Sequence, residues 1–106
     1  MRSLAVALLF AVASAAWAVD PTFEITLKDH RFTPQDVSVP ANIKVKLVVK
    51  NEDPTPAEFE SKSLNREKVI PGKSQATIFV GPLKPGEYAF VDEYHEASAT
   101  GKLIAK

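Results

Sequence analysis

Residues 86–105 read GEYAFVDEYHEASATGKLIA, and the fold is decided here. Gly86 and Tyr88 open a strand that Phe90 carries on to Asp92. Gly101-Lys102-Leu103-Ile104 starts another that runs to Ala105. Apolar residues recur at every second position in the first, the period of a half-buried strand. The intervening loop is short and carries chemistry: Asp92, Glu93 and His95, with Asp92 and His95 in the spacing Asp-x-x-His.

The same period runs outward through the chain. Phe23, Ile25 and Leu27 alternate with Glu24, Thr26 and Lys28. Val37 and Val39 make a shorter strand between Pro34 and Pro40. Val45, Leu47 and Val49 alternate with Lys44, Lys46 and Lys50, and Ala76, Ile78 and Val80 share one face over 75–80. Pro71-Gly72, Gly81-Pro82 and Pro85-Gly86 supply turns, and the prolines fall where they spare strand hydrogen bonds. Ser61 to Lys68 is the stretch suited to a helical turn. Phe32, Phe59, Phe79 and Phe90 are expected in the core, and Tyr88 at the tyrosine corner of a sandwich. Short strands separated by turns roughly every eight to twelve residues predict an all-β, Greek-key sandwich.

Ahead of this pattern stand Arg2, the apolar run Leu4 to Ala13, and Ala16-Trp17-Ala18. These are the parts of an export signal cleaved near Ala18. The apolar run is short against the ~20 residues of a membrane span. The expectation is a signal peptide over 1–18 and one periplasmic domain over 19–106, 88 of the 106 residues. A domain this size has a modest core. There is no cysteine, which excludes disulfides, thiolate ligands and cysteine nucleophiles. The 13 basic residues less Arg2 leave 12 against 13 acidic ones, so no field for nucleic acid or anionic lipid arises. None of the four glycines builds a phosphate-cradling loop, and no serine has a nucleophile-elbow context.

The order and spacing of several short pieces resemble the cupredoxin superfamily, and within it the EfeO-type cupredoxin-like domains and stand-alone periplasmic relatives of bacterial ferrous-iron uptake systems. The pieces are Phe32-Thr33-Pro34 leading to Val37-Ser38-Val39-Pro40, Val48 to Asp53, Glu58-Phe59-Glu60, Arg66-Glu67, Pro71-Gly72, Leu83 to Tyr88, and Gly101 to Lys106. A blue-copper protein of this superfamily would place its cysteine where Asp92 stands, a histidine at His95, a methionine at Ala99 and a further histidine near Ala57. Only the histidine at 95 is kept. A type 1 site needs a short copper–thiolate bond, so none is expected.

Oxygen ligands stand where sulfur is missing. Glu58, Asp92 and His95 are the leading metal-ligand candidates, with Glu60, Glu67, Glu93 and His30 behind them. Glu58 and Glu60 share one face of a strand, with Phe59 opposite. Carboxylates with an imidazole suit Cu(II), Fe(II), Fe(III), Mn(II) or Zn(II) better than Cu(I). Clustered without a cation, such acids repel, and their pKa values are expected to rise. The alternative reading for Asp92 is a hydrogen bond to backbone amides of its loop. The resemblance implies a metal-binding or redox-linked protein working beside a periplasmic iron-binding protein and an inner-membrane permease, with Fe(II) oxidation or electron transfer at the carboxylate/histidine site. Two other classes stay open: a metal-free interaction module and a periplasmic Cu(II) carrier.

Overall fold

The computed structural model describes residues 19–106; the proposed signal peptide lies outside the described residues. Nine strands follow one another: β1 (Thr22–Lys28), β2 (Arg31–Thr33), β3 (Asp36–Val39), β4 (Val45–Asn51), β5 (Ala57–Ser61), β6 (Arg66–Ile70), β7 (Ser74–Val80), β8 (Gly86–Asp92) and β9 (Thr100–Ala105). A single 3-10 turn, Glu93–His95, separates the last two. One sheet has the order β2-β1-β4-β7 and the other β3-β9-β8-β5-β6. Both sheets are mixed, because β1 pairs parallel with β4 and β3 parallel with β9. The fold is an all-β sandwich, as its sequence pattern requires.

Alternation decides what lies between the sheets. Val45, Leu47, Val49 and Asn51 of β4 all point inward, as do Ile25 and Leu27 of β1 and Ile78 and Val80 of β7. From the second sheet come Val37, Val39, Ala57, Phe59, Ile70, Phe90, Leu103 and Ala105. Phe59 and Phe90 stack with centroids 5.1 Å apart, and Phe32 meets both edge-on, at 6.4 and 5.0 Å. Such aromatic contacts add roughly 0.5–1.5 kcal/mol beyond area burial. The Tyr88 hydroxyl donates to the carbonyl of Lys84 at 2.7 Å, the bond of a tyrosine corner.

Two local expectations are corrected. Ser61 to Lys68 is not a helical turn. Its first residue ends β5, residues 62–65 turn, and Arg66 already begins β6. The Ser61 hydroxyl takes the amide hydrogen of Leu64 at 3.2 Å and donates to the carbonyl of Ala89 at 2.6 Å. This ties the turn to the sheet and buries Leu64. Phe79 is not in the core: it is 43% exposed, with the Lys44 ammonium 4.6 Å from its ring centroid. Ile78 and Val80 point inward, so the residue between them must point out.

Candidate metal centre

Three connections meet at one end of the sandwich: the β1–β2 turn, the loop after β4, and the loop after β8. The middle one is organised first. Asn51, the last residue of β4, is buried. Its amide nitrogen donates to the carbonyls of Thr55, Ile70 and Pro71 at 2.8, 3.2 and 3.2 Å. Its oxygen accepts from the amide of Asp53 at 3.0 Å. A short polar side chain bonded to backbone two residues on is the Asx arrangement that folds a chain into a turn.

Asp53 then holds the β1–β2 turn. One of its oxygens accepts from the Asp29 amide at 2.7 Å and the other from the His30 amide at 3.0 Å. Lys28 and Arg31 are a strand pair, so Asp29 and His30 form a two-residue loop. Both have positive φ, 52° and 57°, as a type I′ hairpin turn demands. Burial works against ionisation of Asp53, but the His30 and Asp29 amides outweigh it and hold the carboxyl below its usual range. The His30 ring nitrogen Nδ1 lies 3.4 Å from Asp53 Oδ2.

The third connection repeats the device with a different acid. Asp92 is fully buried at the end of β8 and caps the 3-10 turn. Its Oδ1 accepts from the amides of Glu58 at 2.9 Å and Tyr94 at 3.0 Å. Its Oδ2 faces His95 Nδ1 at 3.0 Å. Backbone bonds from Asp92 to Ala99 and from Ala99 to His95 close the loop, at 3.0 and 2.9 Å.

These scaffolds bring two imidazoles face to face. The His30 and His95 rings stack with centroids 3.6 Å apart and planes 13° from parallel. Each turns Nδ1 toward an aspartate oxygen, but only the His95 contact, at 3.0 Å, is a hydrogen bond; the His30 contact is 3.4 Å. A carboxylate only accepts, so His95 Nδ1 carries the proton, and in the neutral ring Nε2 keeps its lone pair. A carboxylate hydrogen-bonded to an imidazole fixes its tautomer and ring orientation, as the acids behind metal-bound histidines do. No hydrogen bond among the described residues occupies either Nε2.

Most of the glutamates stand elsewhere. Along β5, Ala57, Phe59 and Ser61 are buried while Glu58 and Glu60 alternate outward. Glu67 of β6 is directly across from Glu60. Carboxylate oxygens of Glu58, Glu67 and Glu93 lie within 4.8 Å of one another. Hydrogen bonding to Glu58 and then Glu60, with burial and their charges, pushes Glu93 up to about 7. Glu67 rises for the same first reason, its bond to Glu58. Glu58 goes the other way, because it accepts from Glu67 and Glu93. The expected uniform rise is thus corrected: when acids share protons, the acceptor's pKa falls. Burial and the neighbouring Glu58 charge raise Tyr94.

The candidates therefore fall into two groups. His30, His95 and Asp92 gather at the rim; Glu58, Glu67 and Glu93, with Glu60 beside them, gather on the outer face of the second sheet. Glu58 belongs to both through different atoms: its amide reaches Asp92 and its carboxylate the outer acids. Asn51 and Asp53 escaped the sequence reading of the site. Their signal was two Asx residues two apart, directly after the strongest strand.

The absent cysteine and the buried hydrogen bonds of Asp92 leave nothing that fits a type 1 copper ion. Imidazole nitrogen is a donor type that suits a borderline divalent cation.

Comparison with known proteins agrees with this architecture. The family described as Cupredoxin-like domain matches residues 2–105. The uncharacterized protein RP394 of Rickettsia prowazekii (strain Madrid E) is 42% identical over 81 residues, which are 76% of this chain and 65% of that protein; the chain thus matches less than two thirds of its relative's length. Among solved structures, the metal-binding domain of the Streptococcus pneumoniae D39 Cu(I)-exporting P-type ATPase CopA superposes with a TM-score of 0.72 at 13% identity, covering 80% of this chain and 84% of that one. Auracyanin A, a "blue" copper protein from Chloroflexus aurantiacus, gives 0.69 at 14% identity, covering 83% of this chain and all of that one. At such identities these likenesses show the fold alone. Among the described residues, no helix is long and apolar enough to cross a membrane.

Proposed function

This chain belongs to the cupredoxin-like domain family, and we propose that it binds a transition-metal ion at the rim through imidazole nitrogen rather than thiolate. One observation carries the reading: His30 and His95 lie ring to ring, each with Nδ1 turned to a buried aspartate and Nε2 free. His95 and His30 would hold the ion, with Asp92 orienting the His95 ring and Asp53 holding the turn that carries His30. The ion would supply Lewis acidity or a redox couple. Imidazole nitrogen suits Cu(II), Zn(II) and Fe(II).

In its fuller form, the protein is a periplasmic accessory to iron uptake. It works beside an iron-binding protein and an inner-membrane permease, with the iron passing as Fe(II) or Fe(III). Support comes from the motif resemblance and from the outer cluster of Glu58, Glu67 and Glu93, whose hard oxygens suit iron and favour Fe(III) over Fe(II). Periplasmic Cu(II) carriage is the second reading, favoured by the paired imidazoles.

Calorimetric titration of the purified chain with Cu(II), Zn(II) and Fe(II) tests the proposal. Micromolar or tighter binding is expected, lost in His95→Ala and kept in Glu93→Gln. Binding that survives His95→Ala would move the site to the outer acids. No heat with any of the three ions leaves the interaction-module reading in its place.

A further inference from the structure

The two imidazoles cannot serve one ion as they stand. A metal binds an imidazole nitrogen along its lone pair, in the ring plane, at ~2.0–2.1 Å. The two rings here are nearly parallel, with centroids 3.6 Å apart. An ion shared between stacked rings would sit well out of both planes, and so far off either lone pair. Holding one ion with both rings therefore requires one of them to leave the stack.

The hydrogen bonds decide which ring leaves. Asp92 Oδ1 takes both backbone amides, so among the described residues His95 is the only partner of Oδ2. Asp92 has 0% exposure. If the His95 ring swung away, Oδ2 would be buried without a partner and bear its full desolvation penalty. Asp53 differs. Both of its oxygens keep a backbone amide, from Asp29 and from His30 itself, whether or not the His30 ring is present. The ring contact is the longer one, 3.4 Å against 3.0 Å, and the His30 side chain is 41% exposed against 31% for His95.

We infer that His95 is the fixed ligand and His30 the moving one: the stacked pair is the closed form of the site, and His30 turns out of the stack to complete coordination begun at His95. Asp53 holds the turn that carries His30 without holding its ring, and so acts as a positioning residue. This rests on the metal-binding reading above, and the test separates the two.

The test is long-range proton–nitrogen NMR of the imidazoles in the full chain, with Zn(II) as the probe. Without metal, His95 should show the Nδ1–H tautomer, and both rings the mutual ring-current shielding of a stack. With Zn(II), both Nε2 resonances should shift, His95 Nδ1 should keep its proton, and the shielding should vanish. His30→Asn, whose side chain tolerates the left-handed turn, should weaken Zn(II) binding at least tenfold, with the amide spectrum elsewhere unchanged. Shielding that persists while His95 alone shifts would overturn the moving-ligand inference and leave metal binding intact. Departure of the His95 ring with His30 unmoved would reverse the assignment. No imidazole shift at millimolar Zn(II) would overturn this inference and count against the reading beneath it.

Discussion

Glu58 and Asp92 are joined through backbone, not through paired side chains: the Glu58 amide donates to Asp92 Oδ1 at 2.9 Å across 34 residues of sequence. This bond sews the β5 and β8 strands together where the rim loops begin. Asp92 thereby acts as a structural acceptor, and the glutamate side chain is released to the outer face.

Removing that acceptor should be costly. Asp92→Ala strips two backbone amides and one imidazole of their partner in a fully buried position. The expected loss is about 3 kcal/mol. Asp92→Asn keeps one acceptor oxygen and should lose less. Urea unfolding of the two variants checks this; equal losses near zero for both would show that the amides find other partners.

Stability should depend on pH through the outer acids. In the fold, Glu93 titrates near 7 instead of 4.5 and Glu67 is also raised. Between those values the native state holds more protons than the unfolded chain, so stability falls as pH rises through the window. Glu58, shifted down, contributes in the opposite sense at lower pH. The groups lie at the surface, so screening by salt softens the effect. Metal-free melting temperatures from pH 4.5 to 7.5 should decline, and Glu93→Gln should flatten the curve. A rise across the same range in the parent chain would refute the shared-proton account.

Gly72 allows a close backbone approach. A Cβ added there would lie 2.1 Å from the carbonyl oxygen of Pro54, in the loop that carries Asp53. Gly72→Ala should cost about 1–3 kcal/mol, the usual range for overpacking, and should displace the Asp53 loop. Thermal unfolding, with the His30 amide resonance as a local reporter, measures both; an unmoved His30 resonance would separate the loop from the turn.

The two outward and inward phenylalanines offer a paired test of the sandwich. Phe59 is 1% exposed and packs on Phe32 and Phe90, so Phe59→Ala should cost about 3–5 kcal/mol. Phe79→Ala removes a surface ring beneath Lys44 and should cost under about 1 kcal/mol. Comparable losses in denaturant unfolding would contradict the strand register.

Strong alternation made six strands and most of the core visible in the sequence, since β1, β4, β7 and β8 each bury one face. The missed pieces lack that signal. β2 has three residues, too few to show a period, and β6 is exposed from Arg66 to Val69 with only Ile70 buried. Its place is set by pairing to β5, a tertiary fact. At the rim, the sequence showed Asp92 facing inward and the loops after β4 and β8 approaching one another. It put Glu58 and Glu60 on the face opposite Phe59, but it did not show which acids their carboxylates would meet there, Glu67 and Glu93. Nor did it rank His30 with His95, because their meeting depends on Asp53 bridging 23 residues to fold the turn.

The left-handed backbone at residue 30 sets thermostability against chemistry at one position. A hairpin turn built for stability alone would carry glycine there, the preferred partner of Asp29 in such a loop. His30→Gly should therefore tighten the hairpin while halving the nitrogen donors at the rim. Histidine is among the non-glycine residues that enter the left-handed region, so the turn closes while the ring stays at the rim.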